Sequence, residues 1–320
     1  MTDAGPLVSV IVPHLNDADG LRACLASLAR QVDAPPHEVI VVDNGSVELP
    51  EQVCAEVPGT VLLCEAEPGP GRARNHGAAV AAGSILAFID ADCRADQRWL
   101  RTIVDRFAAA PEVDVIGGQV TVVPRRPGRP SMVEAHELVF GYRMRLYVER
   151  DGYTATLNMA VRRDAFRRVG PFGGRDIAED RDWGRRATAL GLRIAYVDDM
   201  RITTAARPDR TALRCKWDRL LSHDAAELGA DRRARSWFLL RAVAVAASPP
   251  VEVLGILVSD RVEGPRSRWM AVLGTTWIRL YRARRMVSLL VRGNAAELQE
   301  GWNGAPGRTL VEARPSSADG

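Results

Sequence analysis

The chain has 320 residues, 47% of them hydrophobic and 26% charged, with a formal net charge of +3. A chain of this size buries about three-quarters of its unfolded surface, and the composition excludes collagen-like, disulfide-scaffold, tandem-repeat and wholly disordered classes. Near-neutrality conceals a skew, because residues 1–200 carry a net −5 and residues 201–320 a net +8, so the C-terminal third tolerates anionic surroundings better.

The N-terminal Met1-Thr-Asp-Ala-Gly-Pro6 has neither the basic stretch nor the apolar core of a signal peptide. Five widely spaced cysteines without a CxxC pair argue against a zinc knuckle or a disulfide framework, and fit a reducing compartment. The expected location is cytoplasmic.

Leu7–Val12 is a short apolar run closed by Pro13, and His37–Val42 and Ser84–Ile89 repeat the type, as strands buried on both faces do. Between them Leu21, Cys24, Leu25 and Leu28 recur at helical spacing, and a second helix is expected from about Arg72 to Ala82. Strands alternating with helices predict an α/β fold with a mostly parallel, Rossmann-like sheet.

The second strand ends in Asp43-Asn44-Gly45-Ser46, an acidic turn whose Asp can accept from a base imide or a ribose hydroxyl, although the same tetrapeptide is an ordinary turn. Pro68-Gly-Pro-Gly71-Arg72-Ala-Arg74-Asn75-His-Gly77 opens the next helix. Its glycines permit close backbone approach, its arginines reach phosphate oxygens, and it matches neither the dinucleotide nor the P-loop fingerprint. The third strand ends in Asp90-Ala-Asp92, two hard oxygen donors at a carboxyl edge that suit Mg²⁺ or Mn²⁺ shared with a diphosphate; a solvated acidic turn is the plainer alternative.

After Ile116 the alternation loosens, and Pro124–Pro130 is a loop. Met132, Ala135, Val139, Tyr142 and Leu146 then predict one amphipathic helix able to cover a cleft. A strand over Tyr153–Arg162, a helix over Asp180–Leu190 and a strand over Leu192–Val197 follow. Glu179-Asp180 opens that helix, where carboxylates usually serve the helix dipole but where a general base facing a donor would also stand.

The stretches Trp237–Val258 and Trp269–Val291 are markedly apolar yet interrupted by Arg241, Pro249, Pro250 and Glu252, and by Arg279, Arg282, Arg284 and Arg285. Neither suits a membrane span. Two readings stay open: helices lying at a membrane surface, or helices packed on the catalytic core or a second subunit. The last fifteen or so residues are expected to be a disordered tail.

Taken in order, these pieces resemble family-2 glycosyltransferases of the GT-A fold over residues 7–200. Val8–Pro13 is similar to the family's opening strand, Leu21–Gln31 to its first helix, and Asp43–Ser46 to its Asp-Asp-x-Ser element. Gly71–Gly77 is similar to its Ala-Arg-Asn-x-Gly helix, Asp90–Asp92 to its metal motif, Asn158–Ala160 through Val169–Phe172 to its acceptor-side strand and turn, and Glu179-Asp180 to its base motif. The resemblance implies an inverting, non-processive transfer from a nucleotide-diphosphate sugar, by family habit a UDP-sugar, to a hydroxyl of a glycan, lipid-linked or small-molecule acceptor. Pro13, Asp43, Gly71, Arg74, Asn75, Asp90 and Arg207 would serve the donor, Asp90 and Asp92 the divalent cation, and Asp180 with Glu179 the catalysis.

It further implies a donor half at 1–120, an acceptor half at 121–230, a C-terminal helical extension at 231–304 and a tail at 305–320. No nucleic-acid partner is expected, and peripheral contact at the inner face of a membrane would run through 237–291. The chain departs from the pattern in three places. Asn44 replaces a second Asp, no Gln-x-x-Arg-Trp follows Asp180, and no His occurs in Arg201–Arg210, which leaves Arg207 or a folded-back His223 as a substitute and a solvated His223 as the alternative.

Competing readings stay on the table. A haloacid-dehalogenase phosphotransferase would want Thr or Val where Arg94 stands. A nucleotidylyltransferase would want a Gly- and Arg-rich loop where His14–Asp19 stands. A catalytically degenerate scaffold of the same fold would bind nucleotide without turnover.

Overall fold

The computed structural model describes residues 5–174, 178–226, 228 and 231–292; the expected tail lies outside them. The elements are β1 (Val8–His14), α1 (Ala18–Ala29), β2 (His37–Asp43), α2 (Glu51–Ala55), β3 (Thr60–Cys64), α3 (Pro70–Val80), β4 (Ile85–Ile89), β5 (Cys93–Ala95) and α4 (Trp99–Ala109). Then come β6 (Val115–Val123), α5 (Met132–Phe140), α6 (Met144–Glu149), β7 (Asn158–Arg162), α7 (Arg163–Val169), α8 (Glu179–Ala189) and β8 (Ile194–Ala205). Four helices close the description: α9 (Arg210–Ala226), α10 (Arg232–Ala247), α11 (Pro249–Val258) and α12 (Gly264–Arg292).

The eight strands form one sheet in the order β3-β2-β1-β4-β7-β6-β8-β5. The first four pair in parallel as expected. Beyond β4 the sheet is mixed: β7 runs antiparallel to β4 and β6, β5 antiparallel to β8, and β6 parallel to β8. Period-two alternation sends Val8, Val10 and Val12 to the face packed with Leu21 and Leu25 of α1 and Leu100 and Ile103 of α4. It sends Ile11, Ile40 and Phe88 to the face packed with Ala73 of α3 and Trp183 of α8. Each fully buried aliphatic side chain there contributes about 1.5–3 kcal/mol.

Four local expectations change. The strand after Ile116 does not fade but runs as β6 to Val123, through Gly117 and Gly118, which weaken the strand signal. Those glycines are there for room, since a Cβ on Gly117 would stand 2.1 Å from Thr154 Oγ1 and one on Gly118 2.1 Å from the Met200 carbonyl. The register shifts beside them, where Gly118 pairs with Val197 and Gln119 with Arg201. Buried Asn158 closes the irregularity: its Nδ2 donates to the Gln119 and Met200 carbonyls, each at 2.9 Å, and its Oδ1 accepts from Trp99 Nε1 at 2.9 Å.

The single amphipathic helix expected over 132–149 is two helices, α5 and α6, broken at Gly141–Arg143. Glycine disfavours helix continuation, and the freed carbonyls find cations, Arg261 Nη1 at 3.2 Å from the Tyr142 oxygen and Lys216 Nζ at 3.5 Å from the Gly141 oxygen. The strand expected over Tyr153–Arg162 begins only at Asn158, and the one expected to end at Val197 continues to Ala205. The apolar C-terminal stretches are helices α10–α12. α12 packs along α5, α9, α10 and α11, which lays the C-terminal helices over the carboxyl edge of the sheet.

Candidate active site

Parallel register brings His14, at the end of β1, opposite Asp43, at the end of β2. Asp17 N–H donates to His14 Nε2 at 3.2 Å, so the Nδ1–H donates to Asp43 Oδ1 at 2.9 Å. Asp43 also accepts from the Gly45 and Ser46 amides at 3.1 and 2.9 Å and from the Ser46 hydroxyl at 2.5 Å. Burial alone would raise its pKa, but these donors outweigh it and hold the carboxyl below its ordinary range. Asp43 is buried under its own turn, and its neighbours Pro13, His14 and Asn44 line the cavity instead.

The loop into α3 bends at Gly69, whose φ of +135° suits glycine. Gly71 is a close-approach position, since a Cβ there would meet the Gly173 carbonyl at 2.6 Å. Asn75 is committed to the framework. Its Nδ2 donates to the Phe172 carbonyl at 2.9 Å and its Oδ1 accepts the Phe172 amide at 2.8 Å, which fixes the turn after α7.

Arg74, buried to 3% exposure, points out of α3 between two motifs ninety residues apart in the sequence. One guanidinium nitrogen donates to Asp90 Oδ1 at 2.7 Å and another to Glu179 Oε1 at 3.2 Å. The end of β4 and the start of α8 are thereby held across one cavity of about 690 Å³. Asp180 lines that cavity, and burial followed by the adjacent Glu179 charge pushes its pKa up to about 6. Asp92, two residues beyond Asp90, is shifted upward by burial and then by the Asp90 charge. Asp90 and Asp92 are hard oxygen donors of the kind that a divalent cation takes. Among the described residues no third His, Cys, Asp or Glu completes a cluster, so such an ion would draw its remaining ligands from substrate and water.

The opposite wall is helical. Arg207, just beyond β8, is anchored on the buried Glu137 of α5 through its own amide at 2.8 Å and its guanidinium at 2.5 Å, with Lys216 at 3.3 Å from the same carboxylate. Burial raises the Glu137 carboxyl, and the two cations overcome that and bring it below its usual range. His223 is buried in α9 and does not line the cavity, so it is neither the solvated histidine nor the substitute ligand considered from the sequence.

Residues 9–170 match the family described as Glycosyl transferase family 2. Glycosyltransferase AglE of Haloferax volcanii is 31% identical over 215 residues, which span 65% of this chain and 70% of that protein. The chain belongs to glycosyltransferase family 2.

The pre-mycofactocin glycosyltransferase of Mycobacterium tuberculosis is 30% identical over 65% of this chain but only 44% of its own length. The mannosyltransferase PcManGT of Pyrobaculum calidifontis, solved with GDP-Man and Mn²⁺, superposes over 94% of this chain and 88% of its own with a TM-score of 0.55 at 22% identity, and shares the GT-A fold.

Of the residues that the resemblance singled out, this glycosyltransferase brings Pro13, Arg74, Asp90, Glu179, Asp180 and Arg207 to one cavity, whose lining does not include Asp92. Asp43, Gly71 and Asn75 instead shape the walls. Sequence reasoning missed His14, Tyr142, Glu137, Lys216, Trp217, Arg279 and Arg282. Only Lys216 carried a signal, as the sole lysine of the chain. His14 ends β1 and Tyr142 sits at the break between α5 and α6; the others come together through the packing of α5, α9 and α12, which no motif announces.

Proposed function

We propose that this glycosyltransferase moves a sugar from a nucleotide diphosphate to an acceptor hydroxyl by a single inverting displacement, without processive elongation. The observation that carries the reading is the Arg74 bridge from Asp90 to Glu179, the neighbour of Asp180, with all four residues lining one cavity. In this arrangement residues 1–120 serve the donor and residues 121–230 the acceptor, with Arg207 contributing from the far side.

A carboxyl with a pKa of about 6 is ionised at neutral pH and remains a competent base. Asp180 takes the acceptor proton as the new bond forms at the anomeric carbon and the bond to the diphosphate oxygen breaks, and attack from the face opposite the leaving group inverts that carbon. Asp90 and Asp92 would hold the divalent cation, Mg²⁺ or Mn²⁺, which supplies positive charge against the departing diphosphate. Arg74 keeps Asp90 in place and, together with Glu179, sets the field in which Asp180 ionises. His14 and Asp43 hold the turn against which the base of the nucleotide stacks, with Pro13 beneath.

UDP-sugars are the first donors to examine, since S. aureus TarS, solved with UDP-GlcNAc, aligns over 92% of this chain with a TM-score of 0.50; GDP-sugars follow, given the GDP-Man complex of PcManGT. Nucleotide release measured across UDP-, GDP- and dTDP-sugars tests the reading. Release should require Mn²⁺ or Mg²⁺, stop with chelator, and fall in Asp92→Asn; release indifferent to chelator and to Asp92 would refute the metal-assisted form.

A peripheral membrane contact accompanies this reading. No single helix among the described residues is long and apolar enough to cross a membrane, whereas α10 and α11, bent by 53° at their junction, pass together by length and composition. They carry exposed apolar stripes, Trp237, Leu240 and Val243 on α10 and Val251, Leu254 and Val258 on α11, beside the basic Arg232, Arg233 and Arg235. A stripe of that kind suits insertion to the depth of the headgroups, on the cytoplasmic side of an anionic bilayer.

A further inference from the structure

The helical wall of the cavity holds more positive charge than its own residues neutralise. Glu137 carries both Arg207 and Lys216, Asp224 carries both Arg181 and Arg241, and Glu252 carries both Arg143 and Arg279. Arg282 stands in the same lining, and the carboxylates that bear on it, Asp224 and Glu252, are each already paired with two other cations. It is 7% exposed and lies with its guanidinium carbon 3.5 Å from the centre of the Trp217 ring.

Three donors on this wall are buried without an acceptor: Arg282 Nε, Arg279 Nε and Trp217 Nε1. A buried guanidinium lacking a counter-charge costs several kcal/mol, and unpaired buried donors add to that cost. The neighbours show the same excess. Burial and then the positive charges around it hold His136 neutral, with a pKa of about 3, and burial and then Arg207 bring Lys216 down to about 8. Unpaired buried donors beside an excess of positive charge are completed by a ligand that is all acceptor and carries more than one negative charge.

We propose that the wall formed by Lys216, Trp217, Arg241, Arg279 and Arg282 seats a phosphoryl or pyrophosphoryl group belonging to the acceptor. A carboxylate would bring this wall a single negative charge, whereas a phosphate monoester or a diphosphate brings two or more and presents its oxygens to donors arriving from α9, α10 and α12. This group is distinct from the donor diphosphate. Lys216 and Trp217 belong to α9, Arg241 to α10, and Arg279 and Arg282 to α12, whereas Pro13, Asp43 and Asp90 stand at the ends of β1, β2 and β4. The ion pairs from Arg241 through Asp224 end at Arg181, whose amide donates to Asp180 Oδ1 at 2.7 Å, so an acceptor anchored here lies on the side of the base. The inference rests on the transferase reading and names the acceptor class of the same site.

The test is isothermal titration of the full chain with the donor site first saturated by a nucleoside diphosphate and Mn²⁺. The probes are geranyl phosphate, glucose 1-phosphate and uncharged octyl glucoside. Donor-loaded wild type should bind a phosphate-bearing probe, with the preference between geranyl and glucose phosphate telling a lipid headgroup from a soluble sugar phosphate. Arg282→Gln and Lys216→Met should each weaken phosphate binding by about tenfold or more, the loss expected for one charge-assisted hydrogen bond. Arg282→Lys should recover part of it, and nucleotide affinity should stay within about twofold.

Trp217→Phe, which removes one donor and keeps the ring, provides a milder change should Arg282→Gln fail to fold. The proposal is overturned if neither phosphate probe binds donor-loaded wild type more tightly than octyl glucoside, or if phosphate affinity is unchanged in all these variants. A wild-type chain that binds no nucleoside diphosphate would instead contradict the transferase reading.

Discussion

Asp180 pays for its role in stability. Its ordinary pKa of 3.8 rises to about 6 in the folded chain, so ionisation is harder folded than unfolded. The cost is absent below the unfolded pKa, grows as pH rises from about 4 to 6, and is complete above that range. Asp180→Asn should therefore unfold at a higher temperature than wild type at pH 8, by on the order of 1–2 kcal/mol, with the difference vanishing near pH 3.5. The same substitution should cut turnover by about 10²–10⁴-fold, the usual contribution of a general base.

Glu179 is the second cause of the upward shift after burial, so Glu179→Gln should move the acid limb of the pH–kcat/KM profile below 6; an unmoved limb would detach Glu179 from the base. Arg74→Lys offers a compact ammonium where a planar fork spans Asp90 and Glu179, and should lower kcat/KM by about 10²-fold or more. At this scale the acidic residues were legible in the sequence because each ends a strand or begins a helix beside a turn. Roles were less so. Asp43 and Asn75 read as ligands, yet their polar atoms are taken up by Ser46, His14 and the Phe172 backbone, contacts that only the fold creates.

Among the elements, β1, β2 and β4 were readable because uninterrupted apolar runs buried on both faces have few other interpretations. β6 was not, since Gly117 and Gly118 erase the pattern where the close approach of Thr154 and Met200 demands them. Gly118→Ala would force a methyl against the Met200 carbonyl and the Asn158 amide. It should cost about 1–3 kcal/mol, as overpacking does, measured as a fall in denaturation midpoint; an unchanged midpoint would mean that the bulge yields easily. Helix α4 had a legible stripe in Trp99, Leu100, Ile103 and Phe107, all buried, which the chain-order reading passed over. The break between α5 and α6 depended on carbonyl partners from α9 and the loop before α12, beyond the reach of local periodicity.

For the whole molecule, the ends of the sheet strands supply one side of the cavity and the C-terminal helices another, with an apolar surface exposed on α10 and α11. The positive skew of residues 201–320 was visible in composition, and the fold concentrates part of it in one cavity. Replacing Trp237, Leu240 and Leu254 together by Ser should reduce co-sedimentation with anionic vesicles by about tenfold or more while leaving nucleotide binding intact; equal co-sedimentation would assign the stripe to a protein contact. The central claim, that Asp180 works as the base opposite the Asp90–Asp92 end of β4, is tested most directly by nucleotide release from the preferred sugar nucleotide in wild type and Asp180→Asn, with nucleotide binding measured in parallel. The account predicts binding retained and release lost in the variant; release at the wild-type rate would contradict it.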